Sequence, residues 1–490
     1  MEGAKLGVPK KALVAFLLLG LLGLSACTGA GNAMLDTLAG LGTTTVAVPV
    51  AIPDGAGGVY VAYQKNFKGL GRITYLQRLD GSGKPLWPGT GAKIYLDKFP
   101  GTEHMRAPLG ELVRAKDGAI LVWYAGSEVR AQKVDSSGDL LWGRDGVRVS
   151  WSSEPFRRGE GWLLRAVSDG ADGVVIAAYA GPLDGIWLSR LDAAGNSLWA
   201  PRQWFAGPSF PPSAPDDFQL AMDTAGNLFV LWNQDIFWGL QKVSLEGEVQ
   251  WGPDGVIPFP ATSSFSCGQV VADGSGGAIV LCSAQTGGAD ARGKKQWSLV
   301  AQYFDTLGKP RWPEGGLLVA TSPEELSSRA LVSDGAGGAV VAWHSPDQEI
   351  YAQRLSSEGQ PLWGAQGMKV VPKGPFFSLA PGDTPGEALI AWDQTVSKRE
   401  NVYAFQLRVQ KLSPDGGLAW GTGGTAFSAS EPPLASTPLI VADGEGGAWV
   451  AWTEGHGGGE AHIGSTYVQR IGADGQPLWG ANGVELTTLR

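Results

Sequence analysis

Short apolar runs separated by glycine-rich turns recur along the whole chain. The stretch ending at Trp363 shows the order plainly: Arg329-Ala-Leu-Val-Ser333, the turn Asp334-Gly-Ala-Gly-Gly338, then Ala339-Val-Val-Ala-Trp343, the alternating run Ile350-Tyr-Ala-Gln-Arg-Leu355, and a second turn. Two runs flanking a tight turn, followed by alternation, predict a hairpin continued by further antiparallel strands, here labelled A, B, C and D. Strand B is apolar on both faces, as in Leu228-Phe-Val-Leu-Trp232, Ala278-Ile-Val-Leu-Cys282 and Ala448-Trp-Val-Ala-Trp452. A strand with no polar face belongs in a sheet covered on both sides.

The unit repeats eight times. Trp87, Trp142, Trp199, Trp251, Trp312, Trp363, Trp420 and Trp479 each follow a glycine by four residues, at intervals of 55, 57, 52, 61, 51, 57 and 59 residues. Repeats of that length built from short strands are the signature of propeller blades. The expected fold is all-β, an eight-bladed β-propeller of four-stranded antiparallel blades over residues 46–490. Its first blade has its own strand A at Val46 to Ile52 and its last its own strand D at Val484 to Thr488. No strand is left to swap, so the ring is expected to close by side-chain packing alone.

The N-terminus reads differently. Lys5, Lys10 and Lys11 precede the apolar run Ala12 to Gly23, too short for a permanent membrane span, and then Leu24-Ser25-Ala26-Cys27. This is expected to be a cleaved signal segment, residues 1–26, with Cys27 as the lipidated first residue of the mature chain. Its acyl chains contribute about 0.8 kcal/mol per buried methylene and hold the domain at a membrane. Residues 27–45, mostly small and uncharged, are expected to be a flexible tether. The expected address is extracytoplasmic and lipid-anchored to the cell envelope, at the outer membrane where the host has one.

A net charge of -9 lacks the basic field that phosphate backbones demand, so nucleic acid is not an expected partner. Charged residues make up only 17% against 73 glycines, which suits many tight turns. In the A–B turns an aspartate can accept its own turn's amides while glycines take positive φ. A calcium site would need six to eight oxygens, and these turns mostly hold one carboxylate each. The repeated tryptophan is expected to be a wedge between blades, burying about 200 Å² per ring.

Leu79-Asp-Gly-Ser-Gly-Lys-Pro-Leu-Trp87 and Leu191-Asp-Ala-Ala-Gly-Asn-Ser-Leu-Trp199 resemble the tryptophan-docking repeat of pyrroloquinoline-quinone-type propellers, shortened by one residue between Asp and Gly. Those propellers are also eight-bladed, and one branch is the non-enzymatic propeller lipoprotein of outer-membrane barrel assembly. The resemblance implies a blade and is nearly silent about function. The vicinal cysteine pair of the quinoprotein dehydrogenases is absent. Sialidase-type Asp-box repeats match less well, because both spacings here are longer.

The A–B and C–D turns lie on one face of a propeller and the B–C and D–A connections on the other. The second set varies greatly in length here, so recognition is expected on that face. Two neighbouring D–A segments carry Trp151, Phe156, Arg157, Arg158 and Trp162, and Trp204, Phe205 and Phe210, which fit a protein- or glycan-binding patch. His456, Glu460 and His462 have a metal-like spacing, but no metal site is expected in so glycine-rich a stretch. His344, Asp347 and Glu349 form a second polar cluster. Cys267 and Cys282 lie on adjacent strands, opposite each other or one position out of register, and are a candidate disulfide. No catalytic residues and no cofactor are assigned.

The function expected from these features is non-catalytic: a monomeric scaffold or binding propeller recognising a protein or polysaccharide through its variable loop face. The alternative is a glycan-active or quinone-dependent propeller enzyme, which would gather charged side chains at the channel mouth.

Overall fold

The computed structural model describes residues 43–44, 49–67, 71–97, 110–125, 128–149, 163–179, 186–199, 202–204, 218–234, 237–259, 265–286, 296–326, 329–371, 373–374, 376–399, 402–427, 434–435, 438–456 and 463–488. They form eight antiparallel sheets in a ring, and the described residues contain no helix. In blade two strand A is Glu111–Ala115, B is Gly118–Ala125, C is Glu128–Val134 and D is Val147–Val149. Blade six runs Arg329–Ser333, Ala339–His344, Ile350–Leu355 and Met368–Val371.

In blade four the outermost strand is reduced to one bridge between Leu240 and Val256. Pro253 and Pro258 flank it and have no N–H to give a ladder. The first strand A is Val50–Pro53, residues 46–48 of the expected run lying outside the described residues, and the last strand D is Val484–Glu485, shorter than the sequence suggests.

The first four residues of every strand B are apolar and nearly all fully buried: Val59-Tyr-Val-Ala62, Gly118-Ala-Ile-Leu121, Val174-Val-Ile-Ala177, Leu228-Phe-Val-Leu231 and their counterparts. Alternate residues pack against the preceding and the following blade. Val174, Ile176 and Ala178 join blade two's cluster, whereas Val175, Ala177 and Tyr179 join blade four's. Along strand A one register position is Ile52, Val113, Val167, Ala221, Val271, Val332, Ala380 and Val441, and the next, beside the turn, is uncharged in seven blades and Arg114 in blade two.

The repeated tryptophan and glycine do not serve one another. Each indole docks on the C–D turn of the next blade: Trp87 Nε1 donates to the Ser136 carbonyl (3.0 Å), Trp142 to Ala193 (3.1 Å), Trp199 to Leu245 (3.0 Å) and Trp251 to Thr306 (3.1 Å). Trp312 donates to Ser357 (3.0 Å), Trp363 to Pro414 (3.1 Å) and Trp420 to Ala473 (3.1 Å). Trp479, in the last blade, donates to Gly81 of the first (3.3 Å).

Two residues beyond each accepting carbonyl stands the glycine of that next blade, under the ring. A Cβ on Gly138 would lie 3.0 Å from Trp87, and one on Gly475 2.5 Å from Trp420. Both glycines also hold positive φ, +94° and +80°, so the site excludes a side chain for two reasons. Burying about 200 Å² of ring is worth on the order of 5 kcal/mol, several times the indole hydrogen bond.

Ring closure follows from the same contact. Ala51, Val59, Val61 and Tyr63 of blade one pack with Trp449, Ala451, Val468 and Leu486 of blade eight in one cluster, with no shared strand.

A buried glutamine on strand C fixes the tryptophan's own backbone. Gln77, Gln132, Gln241, Gln302, Gln353, Gln410 and Gln469 stand ten residues before it, and each Oε1 accepts the tryptophan N–H. Blade three has Ser189 there. Cys267 and Cys282 are register partners with their sulfurs at bonding distance, beside a bulge at Gly268.

Gln353→Met should test this bracket. Gln353 is buried and also accepts from Arg354 N (3.0 Å), so the change leaves two buried N–H groups unmet. It should cost about 2–4 kcal/mol by urea denaturation; a change below about 0.5 kcal/mol would show that the glutamine is dispensable.

Candidate functional site

The A–B and C–D turns have their polar groups consumed by structure. In blade one Asp54 Oδ1 accepts from Ala56 N and Gly58 N (both 2.7 Å), and Oδ2 accepts from Arg78 (2.7 Å). Arg78 Nη1 reaches on to the Ser136 carbonyl, the same oxygen that Trp87 uses (3.2 Å). Arg190 with Asp169, Arg354 with Asp334 and Arg470 with Asp443 repeat the arrangement. Tyr303 replaces the arginine in blade five.

In blade two the strand-C cation, Lys133, is paired not with its own turn's Asp117 but with Asp172 of blade three (2.6 Å), a non-glycine residue at φ +71°. In blade seven, Lys411 pairs with Glu387 (3.0 Å). These aspartates are structural clamps, with their oxygens occupied by amides and cations.

The opposite ends of the inner two strands have another character. Counting from the residue paired with the last position of strand C, the sixth residue of strand B carries a hydrogen-bonding group in every blade: Gln64, Tyr124, Tyr179, Asn233, Ser283, His344, Asp393 and Thr453. Strand A adds Glu111, Arg165, Gln219, Ser266, Arg329 and Ser378 at the same end. Polarity thus rises toward the B–C and D–A rim in a core that is otherwise apolar.

Blades two to four join part of this set into a network. Arg165 Nη1 stands 3.7 Å from Glu111 Oε1 and its Nε donates to Gln219 Oε1 (3.3 Å). Tyr124 OH donates to the Leu163 carbonyl (2.9 Å). Burial raises the Glu111 carboxyl to about 7, and Arg165 only partly offsets it. Arg329 turns away from this group and binds the Ser266 carbonyl and Oγ of blade five. Two formal charges, Glu111 and Arg165, therefore meet here.

Across the ring, Asp393 is 1% exposed. Its Oδ1 accepts from Phe376 N (3.0 Å), and its Oδ2 has no hydrogen-bond partner. Burial raises this carboxyl to about 6 against the opposing backbone hydrogen bonds.

Of the residues singled out in the sequence, Cys27, Trp151, Phe156, Arg157, Arg158, Trp162, Phe205, Phe210, Glu460 and His462 lie outside the described residues. Trp204 is paired with Ile186 as the last residue of blade three's strand D, and His456 with Ile463 at the tip of blade eight's hairpin. His344, Asp347 and Glu349 do not converge. His344 Nε2 bonds the Gly374 carbonyl and its ring meets Phe377 edge-on, Glu349 pairs with Lys369 (2.6 Å), and Asp347 is exposed. The strand-end polar positions escaped sequence reading because the residue type there changes along the chain; only the register unites them.

No known protein family matches the chain, and no curated protein is detectably similar to it in sequence. Solved structures align with the chain at low identity. The polysaccharide lyase Uly1 aligns with 78% of this chain and 92% of its own at 12% identity and a TM-score of 0.43. An ulvan lyase aligns over 89% and 96% at 14% identity and 0.41. Prolyl oligopeptidase B from Galerina marginata aligns over 74% of this chain and 45% of its own at 10% identity and 0.38.

The unpartnered carboxyl gives a pH signature. A folded pKa raised above the unfolded value means that the folded state holds the proton more tightly, so stability is lost as pH rises from about 4 to about 6 and is constant above. Asp393→Asn removes this dependence. It should gain on the order of 2–3 kcal/mol relative to wild type across that interval, measured by denaturant titration at each pH; parallel curves would contradict the burial of an unpaired carboxylate.

Proposed function

We propose that the protein is a lipid-anchored, non-catalytic propeller that binds a protein or envelope polymer on the B–C and D–A rim, above blades two to four. The observation that carries this reading is the polarity gradient. The turn face spends most of its aspartates, arginines and indoles on holding blades together, whereas polar side chains gather at the other end of strand B in every blade and of strand A in six. Arg165 and Gln219 stand at the starts of the two strands that the aromatic and arginine-bearing segments run directly into. Lipidation at Cys27 would keep this rim at an envelope surface, where a tethered binder meets its partner at high local concentration.

A second reading has one observation in its favour. Glu111, held near neutrality beside Arg165, has the form of an acid–base pair, which a glycan-active enzyme would use.

Cross-linking of native envelopes, followed by purification of the protein and its adducts, tests the binding reading. A specific adduct should form with wild type, fall at least tenfold in a Trp151, Trp162 and Trp204 triple-alanine variant, and persist when exposed Leu307 on the turn face is replaced by Ala. Cys27→Ser should shift the protein from the membrane to the soluble fraction. Equal adduct from all variants would overturn the proposed rim, and turnover of a glycan abolished by Glu111→Gln would establish the enzymatic alternative.

A further inference from the structure

A second opening lies at the other end of the channel, on the A–B turn face. A cavity of about 490 Å³ is walled by the inner strands of blades two, three and four, with Leu112, Val113, Ala166, Val167 and Met222 as its apolar floor and Arg114 at its edge. That volume is within the range of small-molecule sites.

Two features make the site asymmetric. The strand-A position paired with the first strand-B residue of the B–C ladder is Pro53, Ser168, Met222, Ala272, Ser333, Pro381 and Ala442 in seven blades and Arg114 in blade two, so one cation interrupts an uncharged ring. Blade two also has the shortest A–B turn, Lys116 and Asp117 alone. Where blade three has a five-residue Asp169 to Gly173 turn, blade two therefore leaves Arg114 uncovered.

The other charges in the wall are already spent. Asp169 accepts from Ala171 N, Gly173 N and Arg190, and Asp223 from Ala225 N, Asn227 N and Asn227 Nδ2. Arg114 is exposed, lies over Gly55 of the neighbouring turn, and makes no ion pair among the described residues. An apolar floor with one uncompensated guanidinium at its lip selects a ligand with an apolar body and a single anionic end.

We propose that this cavity is a binding site for a small amphipathic anion, an alkyl or aryl chain bearing one carboxylate or sulfonate, with Arg114 holding the anionic group. The site is separate from the rim and independent of what binds there. An acyl chain and the free C-terminus of an apolar peptide both present this chemistry.

Titration of the folded full chain with anilinonaphthalene sulfonate reads it directly. Saturable fluorescence with one site per chain is expected, about tenfold weaker in Arg114→Gln and restored in Arg114→Lys. Thr224→Trp, which places a ring at the exposed mouth without touching the core, should block it. Decanoate should displace the probe at least tenfold better than decanol. A leucine-terminated peptide with a free carboxylate, run beside its amide, identifies the source as acyl chain or chain terminus by which of the two acids competes. Near-ultraviolet circular dichroism verifies that each variant is folded. Non-saturable fluorescence, equal affinity in Arg114→Gln, or displacement by decanol as effective as by decanoate would overturn the proposal.

Discussion

Each blade sets an indole on the turn of its neighbour, and the rest of the molecule depends on that contact. The ring lies over a glycine that can carry no Cβ and hands its N–H to a carbonyl two residues earlier, so a large apolar area and a directional bond fix the same geometry. Because the contact runs from every blade to the next, the eighth copy, Trp479 on Gly81 and Gly83, closes the circle without exchanging a strand. The arginines of strand C reinforce it by sharing the accepting carbonyl while neutralising the turn aspartate.

This arrangement divides the labour between the faces. Indoles, glutamines, arginines and aspartates saturate the turn face, and substitutions there act through stability. The variable rim is released from that duty and holds the ungrouped polarity: a hydrogen-bonding residue at one register position in all eight blades, an Arg165–Glu111–Gln219 network, and a buried carboxylate with a free oxygen. Blade two is the exception on the turn face. Its short turn borrows Asp172 from the next blade and leaves Arg114 exposed at the cavity.

Blade number, strand order and the both-faces burial of strand B were legible because they rest on repetition and composition. The partner of each tryptophan was not, since glycine and tryptophan four residues apart invite a local reading while the contact spans about one repeat. The buried glutamine ten residues before the indole was equally present in the sequence, but looks like an ordinary outward residue of an alternating strand. The Cys267–Cys282 register stayed ambiguous until the bulge at Gly268 was placed. Aromatic residues between blades two and four could be located by order along the chain, but their surroundings are not a property of local pattern.

The most direct test is a pair of double-mutant cycles read by equilibrium denaturation. Gly83→Ala with Trp479→Ala probes the contact across the seam, and Gly475→Ala with Trp479→Ala probes the two residues of one sequence motif. The account predicts a coupling of about 1–3 kcal/mol for Gly83 with Trp479 and near-additivity for Gly475 with Trp479. Additivity across the seam, with coupling inside the motif, would contradict it.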